Sequence, residues 1–306
     1  MTSTPLVNSV MMVGFLKLLM LLYRLLNSIV RTIRGPHHLE ERYGKGSYAL
    51  VTGASDGIGL GYCKELAKNG FNIVMISRSQ SRLEAAAEEV RKVAPSVKIE
   101  IVPFDFEQSQ HENEYISQII EKVKHLDISI AIHNAGYSQC GAYKDVPLYL
   151  HKRMIDVNVV PCVLLPKLLL PTMKKRTLRS ANIWVSSVNA VHPTAGHATY
   201  CGTKVFEDFM ARSLSHELRD KIDCMCHRPG VTSTKMVGHY KENFMCINAD
   251  KCAGGSIKNL GFENFTSGSL QHELSLFALK QMSRFTPEKF CFTWFSKADR
   301  VWKKIS

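Results

Sequence analysis

The sequence predicts an α/β fold, in which a parallel sheet carries helices on both faces. Short apolar runs with strand character recur along the chain and alternate with stretches of helical periodicity. The first run, residues 48–52, passes directly into a glycine-rich turn and then into a helical stretch at residues 62–68. Such alternation is typical of parallel sheets with right-handed crossovers, and a glycine-rich turn at the first crossover is typical of dinucleotide-binding domains. Together these observations indicate a doubly wound, Rossmann-type sheet.

Composition and charge are those of a folded protein with an anionic partner. Of the 306 residues, 45% are hydrophobic and 22% are charged, which excludes a disordered or collagen-like chain. Lys and Arg outnumber Asp and Glu by 39 to 27. Basic clusters lie near both ends rather than in one stripe, which favours membrane headgroups or a phosphorylated substrate over nucleic acid. The nine cysteines show no metal-type spacing, so we expect reduced thiols and no metal site.

Residues 1–36 are predicted to form a membrane anchor, and residues 37–306 a single main domain. The run Val10–Leu22 is apolar apart from one glycine and Lys17. A cleaved signal peptide carries its positive charge before the apolar run, whereas here the charges lie within and behind it. The segment is therefore expected to be retained.

The geometry of this anchor stays open at the level of sequence. Lys17, Arg24 and Arg31 recur every seven residues and share one helical face, which suits a helix lying in the plane of the membrane. A lysine inside a spanning helix costs about 2.5 to 3.5 kcal/mol on an insertion scale, which the neighbouring apolar residues can offset. A helix that packs on the protein's own core is a third alternative.

Two features predict that the main domain faces the cytosol. The basic excess behind the apolar run puts it there if the run spans the bilayer. The chain terminates Lys303-Lys304-Ile305-Ser306, which resembles the dilysine retrieval signal of endoplasmic reticulum membrane proteins. That signal is read from the cytosol, so we expect a protein of the endoplasmic reticulum membrane.

The turn after the first strand is a candidate phosphate-binding site. It reads Gly53-Ala-Ser-Asp-Gly-Ile-Gly59 and precedes a helix. Glycines let the backbone approach a pyrophosphate, and the helix N-terminus supplies a positive partial charge. A structural turn without ligand is the alternative. The candidate cofactor contacts in the turn are Gly53, Ser55, Asp56, Gly57, Ile58 and Gly59.

The end of the second strand predicts NADP(H) as the cofactor. Residues 72–76 form this strand and lead into Ser77-Arg78, where an enzyme that prefers NAD has an acid on the ribose 2'-hydroxyl. A cation at this position complements the 2'-phosphate of NADP(H). Arg78 is the main candidate, with Arg82 and Ser55 as assistants, and a solvated loop arginine is the alternative.

A tyrosine and a lysine one helical turn apart form a candidate proton donor. The fifth predicted strand, residues 183–187, ends at Ser187, and Tyr200-Cys-Gly-Thr-Lys204 begins thirteen residues later. Residues i and i+4 share a helical face. The ammonium favours phenolate over phenol, so we expect a lowered pKa for Tyr200 and proton donation to a carbonyl near neutral pH.

These motifs, in this order, resemble the short-chain dehydrogenase/reductase family. The glycine turn follows Thr52 with the spacing of the family's TGxxxGxG signature, and the remaining residues follow in family order. His133 stands before Asn-Ala-Gly where the family more often has asparagine. The resemblance implies that Tyr200 is the acid, Lys204 binds the nicotinamide ribose and tunes Tyr200, Ser187 orients the carbonyl, and Asn158 holds a proton-relay water.

The same resemblance implies further cofactor contacts at the ends of other strands. Asp105 would reach the adenine, and Asn134 would steady the strand beneath it. The loop that begins Arg228-Pro229-Gly230 resembles the segment that closes on the nicotinamide. Its Val231 backbone and Thr234 hydroxyl would meet the carboxamide.

The leading apolar segment and the Ile-Ser-Arg sequence resemble one branch of this family, the very-long-chain 3-oxoacyl-CoA reductases and 17-beta-hydroxysteroid dehydrogenases of types 3 and 12. The resemblance implies NADPH-dependent reduction of a lipid carbonyl. The favoured substrate is the 3-keto group of a long-chain 3-oxoacyl-CoA in fatty acid elongation. A steroid ketone is the alternative substrate, and a non-catalytic, membrane-bound dinucleotide-binding scaffold is the alternative of another class.

Two further expectations concern surfaces. Family members commonly pair through the helices that here would cover residues 159–173 and 198–218, which implies a homodimer, although the first is apolar enough to touch a membrane instead. Phe262, Phe265 and Leu270 would either line a substrate lid or belong to the core.

Overall fold

The computed structural model describes residues 5–34, 39–237 and 240–285. The chain divides into two compact units, residues 1–35 and 36–306. The dilysine sequence at the C-terminus lies outside the described residues, as do the side chains of Arg24 and Arg31.

The first unit is a single helix, α1 (Pro5–Arg34). Its apolar side chains are strongly exposed, with Val10, Met11 and Phe15 at 65%, 67% and 60%. The apolar part of the helix, Val7–Tyr23, is shorter than a typical membrane span. The predicted N-terminal apolar helix is thus present.

The second unit alternates strands and helices. Its long strands are β1 (Tyr48–Thr52), β2 (Asn72–Ser77), β3 (Ile99–Pro103), β4 (Ile128–His133), β5 (Ser180–Val185) and β6 (Ile222–His227). Three two-residue strands follow, β7 (Thr232–Ser233), β8 (Ile247–Asn248) and β9 (Phe265–Thr266). The helices are α2 (Leu39–Tyr43), α3 (Gly57–Lys68), α4 (Gln80–Val93), α5 (Glu112–Tyr115), α6 (Glu121–Val123), α7 (Leu148–Asn158), α8 (Val160–Lys175), α9 (Ala198–Glu217), α10 (Ala249–Ile257) and α11 (Leu270–Phe285).

Seven of these strands form one parallel sheet in the order β3-β2-β1-β4-β5-β6-β9. The direction in which successive strands are added to the sheet reverses between β1 and β4. The crossover connections therefore diverge on either side of this point and leave a crevice beyond the carboxyl ends of β1 and β4. The predicted fold class is confirmed, and the glycine turn after β1 lies at this switch point.

Apolar side chains on successive strand residues fill two separate cores. Ala49 and Val51 of β1 face the layer formed by α3, α4 and α10. Leu50, between them, faces the layer that contains α8 and α9. This alternation is the two-residue period of a strand that is buried on both faces. The helices that carry the predicted catalytic residues are therefore fixed to one face of the sheet by core packing.

The apolar stretch Leu148–Lys175 is long and apolar enough to cross a membrane by composition, but 44% of its 18-residue apolar window is buried inside the fold. It comprises α7 and α8, and Leu165, Leu169 and Met173 of α8 pack in the core. Its apolar character is thus explained by packing against the sheet.

One sequence expectation needs correction. The fifth strand ends at Val185 rather than at Ser187, because Ser187 instead caps the short 3-10 helix Val188–Ala190. Of the three side chains considered for a lid or for the core, Phe265 packs against the core, and Phe262 and Leu270 are 47% and 41% exposed.

Candidate active site

The glycine turn after β1 has a backbone that only glycine accommodates. Gly53 has a φ of +65°, a left-handed conformation that side chains disfavour. A Cβ on Gly59 would collide with the carbonyl oxygen of Gly53. Asp56 caps α3, since its carboxylate accepts a hydrogen bond of 2.7 Å from the Gly57 N–H. The turn therefore brings bare backbone and a helix N-terminus to the crevice.

Hydrogen bonds join this turn to the end of β4. The Thr52 hydroxyl donates to the Ile132 carbonyl at 3.2 Å and accepts from the Asn134 N–H at 2.9 Å. The Asn134 side-chain amide donates to the Thr52 carbonyl at 2.9 Å. Asn134 thus holds the two central strand ends together, and its own side chain faces the turn rather than open solvent.

A cleft extends from the glycine turn across the ends of β2, β3 and β4. Predicted cofactor residues Gly53, Arg78 and Asp105 all line it. Ser55 lies beside them, with its hydroxyl 3.0 Å from that of Ser77. A dinucleotide fits this cradle, because it offers bare backbone, a helix N-terminus and a cation in one groove.

The two arginines at this cleft differ in their partners. Arg82 forms an ion pair of 2.9 Å with Asp56, so both of these predicted contacts are engaged with each other. The exposed Arg78 has no hydrogen bond or ion pair with any other described residue. Arg78 is therefore available to an anionic group.

The loop after β6 reaches the glycine turn. The Thr234 methyl lies 3.0 Å from the place that a Cβ of Gly57 would occupy. His272 of α11 holds the loop from behind: its Nδ1 accepts from the Gly230 N–H at 3.1 Å, and its Nε2 donates to the Val231 carbonyl at 3.1 Å. Sequence reasoning missed His272, because no local pattern links it to a loop some forty residues earlier.

Tyr200, Ser187 and Lys204 converge at the end of β5. Tyr200 and Lys204 lie on one face of α9, with the Lys204 ammonium 5.7 Å from the centre of the tyrosine ring. Tyr200 is half-buried, and the adjacent Ser187 side chain acts to lower the pKa of its phenol. Ser186 faces elsewhere and donates to the Lys204 carbonyl at 2.6 Å. The structure therefore places Ser187, the serine chosen on spacing, next to Tyr200.

Asn158, at the C-terminus of α7, is buried and bonded through its side chain. Its Oδ1 accepts from the Tyr137 N–H at 2.7 Å, and its Nδ2 donates to the Tyr137 carbonyl at 3.0 Å and to the Thr203 hydroxyl at 2.9 Å. The Asn-Ala-Gly turn is close by, since a Cβ on Gly136 would lie 3.5 Å from the Lys204 Nζ. Asn158 thus links α7 and the β4 turn to α9.

The Lys204 ammonium has a partner that sequence reasoning missed. Its Nζ donates to both carboxylate oxygens of Glu207 at 2.9 Å and to the Val185 carbonyl at 3.0 Å. Both side chains are buried, with exposed fractions of 5% and 3%. The i,i+3 spacing was visible in the sequence, but nothing there showed that this face of α9 is buried.

The expected lowering of the Tyr200 pKa is wrong for this structure. Burial raises the pKa of the phenol, the Lys204 ammonium lowers it, and the Glu207 carboxylate raises it again. The net direction is upward, because burial and Glu207 together outweigh Lys204. The ammonium still acts to lower the pKa of Tyr200. Burial and Glu207 nevertheless leave that pKa above the ordinary tyrosine value.

Comparison with known proteins identifies the family to which this chain is similar. The short chain dehydrogenase family profile matches residues 47–244. A very-long-chain 3-oxoacyl-CoA reductase-like protein of Arabidopsis thaliana is 32% identical, over 92% of this chain and 90% of its own length. The 17-beta-hydroxysteroid dehydrogenase type 3 of Danio rerio is 31% identical, over 75% of each chain.

Solved structures show the same fold at lower identity. A 7beta-hydroxysteroid dehydrogenase structure superposes with a TM-score of 0.71 at 22% identity, covering 84% of this chain and 99% of that chain. A short-chain dehydrogenase from Sphingobium yanoikuyae in complex with NADPH has a TM-score of 0.66 at 24% identity, covering 78% and 94%.

The fold and the cleft define a Rossmann-type oxidoreductase. The family profile and the similar proteins show that the chain belongs to the short-chain dehydrogenase/reductase family. The resemblance seen in its motifs, including the branch of 3-oxoacyl-CoA reductases and 17-beta-hydroxysteroid dehydrogenases, is confirmed.

Proposed function

We propose that this enzyme uses NADPH to reduce the carbonyl of a lipid, and that the 3-keto group of a long-chain 3-oxoacyl-CoA is its substrate, as in fatty acid elongation. The observation that carries the proposal is the convergence of Tyr200, Ser187 and Lys204 next to Gly136, which lines the cleft that also contains Arg78. Relatives named very-long-chain 3-oxoacyl-CoA reductase in Arabidopsis thaliana and Anas platyrhynchos support the substrate class.

The cofactor part of the proposal rests on the residues that line the cleft. The glycine turn would hold the pyrophosphate, Asp105 the adenine, and the Val231 and Thr234 segment the nicotinamide end. Arg78 would bind the 2'-phosphate, since a guanidinium without a partner among the described residues is complementary to that dianion. Bound NADPH would supply the hydride that reduces the carbonyl carbon.

In the proposed mechanism the protein supplies the proton and binds the oxygen. The Ser187 hydroxyl orients the carbonyl, and the Tyr200 hydroxyl donates its proton to the oxygen as negative charge develops there. The Lys204 ammonium stabilises the phenolate that remains. Asn158 holds the C-terminus of α7 against α9 through the hydrogen bond that it donates to the Thr203 hydroxyl.

The chain segment that follows the loop after β6 supports an apolar substrate. Large apolar side chains are exposed in it, among them Phe244 at 65% and Met245 at 50%. An acyl chain or a steroid would bury such side chains, whereas a small polar ketone would not. The net charge of +12 favours an acyl-CoA over a steroid, because the CoA phosphates are anionic.

A steroid ketone is the second candidate substrate. It is favoured by the similarity to the 17-beta-hydroxysteroid dehydrogenase type 3 of Danio rerio. The same tyrosine, serine and lysine would reduce either carbonyl, so the choice depends on the apolar segments after the cofactor loop.

Membrane attachment and pairing complete the proposal. The exposed apolar side chains of α1 would be covered by lipid of the endoplasmic reticulum, with the catalytic domain in the cytosol. The helices α8 and α9 would form a homodimer, since Val163, Phe206 and Phe209 are exposed on them.

The proposal is tested by measuring NADPH consumption by the full chain purified in detergent. A long-chain 3-oxoacyl-CoA and a 17-ketosteroid are compared, each with NADPH and with NADH. We expect the highest kcat/KM for the acyl-CoA with NADPH. A preference for the steroid would select the second candidate, and NADPH binding without turnover of either would identify a scaffold.

A further inference from the structure

The Lys204 ammonium has three hydrogen-bond acceptors inside the protein. Two are the carboxylate oxygens of Glu207 and one is the Val185 carbonyl oxygen, at 2.9 to 3.0 Å. A lysine side chain has many rotamers, and three hydrogen bonds that it donates to buried acceptors fix one of them. Glu207 therefore determines where the charge of Lys204 lies.

Glu207 is itself almost completely enclosed, with an exposed fraction of 2%. A small cavity next to it is lined by Thr52, His133 and Asn158, and the His133 Nδ1 in its wall has no hydrogen-bond partner in the described part of the chain. Burial lowers the pKa of His133 to about 4, so this ring is neutral at physiological pH. The cavity wall thus offers no positive charge to the carboxylate.

The titratable groups that face Glu207 come from four elements. They are Tyr200 and Lys204 of α9, Cys162 of α8, His133 of β4 and Cys226 of β6. Burial raises the pKa of both thiols well above the ordinary value, which keeps them neutral. Among the groups within the described residues, Lys204 is the one cation that stabilises the Glu207 carboxylate.

We propose that Glu207 is a positioning residue for proton transfer: it fixes the Lys204 ammonium beside Tyr200 and offsets the charge of that ammonium, so that it sets the pH range in which Tyr200 gives up its proton. The inference rests on the proposed role of Tyr200 as the acid. It adds a fourth participant, a carboxylate one helical turn beyond the lysine, to the tyrosine, serine and lysine of the proposed function.

The proton balance shows why this position matters. When the O–H bond of Tyr200 breaks and the new O–H bond of the alcohol forms, a full negative charge remains on the tyrosine oxygen. Lys204 stabilises that charge, whereas the carboxylate of Glu207 destabilises it. A proton from solvent restores the phenol after the product has left. Both the forward and the reverse reaction therefore respond to the charge at position 207.

The test is a spectroscopic titration of Tyr200 that needs no substrate. Phenolate absorbance is measured against pH, and the contribution of Tyr200 is the part that Tyr200→Phe removes in the same background. In Glu207→Gln, which keeps size and a hydrogen-bond acceptor but loses the charge, we expect the Tyr200 titration to move to lower pH by about one unit. Glu217→Gln, at an exposed glutamate near the end of the same helix, is the matched control and should leave it unchanged.

Coincident titrations of folded Glu207→Gln and wild type would overturn the inference, and a shift to higher pH would refute the part in which the Glu207 charge offsets that of Lys204. Folding is checked by circular dichroism. If the glutamine variant does not fold, Glu207→Asp decides, because it withdraws the charge by one methylene and should give a smaller shift in the same direction; no shift would again overturn the inference. Loss of carbonyl reduction in every assay, with the titration shift present, would refute the proposed function and leave the effect of Glu207 on Tyr200 intact.

Discussion

Glu207 and Asp208 are neighbours on α9, and each forms a buried ion pair, yet their acidities change in opposite directions. Burial raises the pKa of Glu207 to about 7, and Lys204 offsets only part of this rise. Burial also raises the pKa of Asp208, but hydrogen bonds from Arg228 and Cys226 outweigh it and leave a lowered value. An ion pair alone therefore does not define the protonation state of a buried acid.

The difference lies in the number and kind of donors. Asp208 receives a 2.6 Å bond from Arg228, a 3.0 Å contact from the Cys226 thiol and a 3.4 Å contact from Arg212. Glu207 has one lysine, which also donates to a backbone carbonyl. A guanidinium is less strongly hydrated than an ammonium and loses less on burial. Asp208 is thus part of the scaffold, whereas Glu207 remains close to titration beside Tyr200.

The largest predicted effect is on the scaffold pair. Asp208→Asn leaves the Arg228 guanidinium buried without a counter-charge, and we expect the free energy of unfolding to fall by about 3 to 5 kcal/mol at pH 7. Denaturant unfolding in detergent measures this. Asp220→Asn, at an exposed aspartate near the end of α9, should change it by less than about 0.5 kcal/mol. Equal stability of the two variants would show that Asp208 and Arg228 do not form a stabilising pair.

The two acids should also give opposite pH dependences of stability. Between the unfolded pKa of 4.5 and about 7, the folded chain keeps the Glu207 proton that the unfolded chain has lost, so this residue makes stability fall as pH rises through that window. Asp208 has a lowered pKa and contributes stability above 3.8, which is lost as pH falls through the folded pKa.

Unfolding measured from pH 4.5 to 7 checks these signs. The free energy of unfolding of wild type minus that of Glu207→Gln should fall as pH rises through this window, because the buried histidines, whose pKa values are lowered, contribute equally to both proteins. A difference that stays constant across the window would mean that Glu207 is ionised throughout it.

Arg78, a cation that has no partner among the described residues, provides the next contrast. Arg78 stabilises no described acid, so Arg78→Ala should leave the free energy of unfolding within about 0.5 kcal/mol of wild type. It should weaken NADPH binding by roughly 1.5 to 3 kcal/mol, since a charge-assisted bond to the 2'-phosphate is lost, and leave NADH binding unchanged. Fluorescence titration with both cofactors measures this. A larger loss in Arg82→Ala would assign the 2'-phosphate to Arg82 instead.

The smallest predicted effect concerns the outer member of the Asp208 cluster. Arg212 is 47% exposed on its side chain and lies 3.4 Å from Asp208. Exposed pairs contribute about 0 to 1 kcal/mol, so Arg212→Gln should lower the free energy of unfolding by no more than that. A loss as large as that of Asp208→Asn would show that Arg212, rather than Arg228, compensates the carboxylate.

The sequence predicted the parts of this enzyme that depend on local spacing. The glycine turn, the cation at Arg78, and the relation of Ser187 to Tyr200 follow from short motifs, and a short motif fixes local geometry. The parallel sheet followed from the alternation of strands and helices, and the structure confirms it.

The sequence did not predict what depends on burial and distant packing. The pKa of Tyr200 follows from desolvation and from Glu207, and both require knowledge of which face of α9 is enclosed. The bonds from His272 to the cofactor loop and from Arg228 to Asp208 join residues that have no sequence relation. Such contacts are set by tertiary packing, which motif spacing does not encode.

The central claim is that the Tyr200 hydroxyl gives its proton to a lipid carbonyl. It is tested most directly by the rate of NADPH consumption by Tyr200→Phe with a long-chain 3-oxoacyl-CoA. Loss of the general acid should lower kcat by about 10²- to 10⁴-fold, with NADPH binding unchanged. A rate equal to that of wild type would contradict the account.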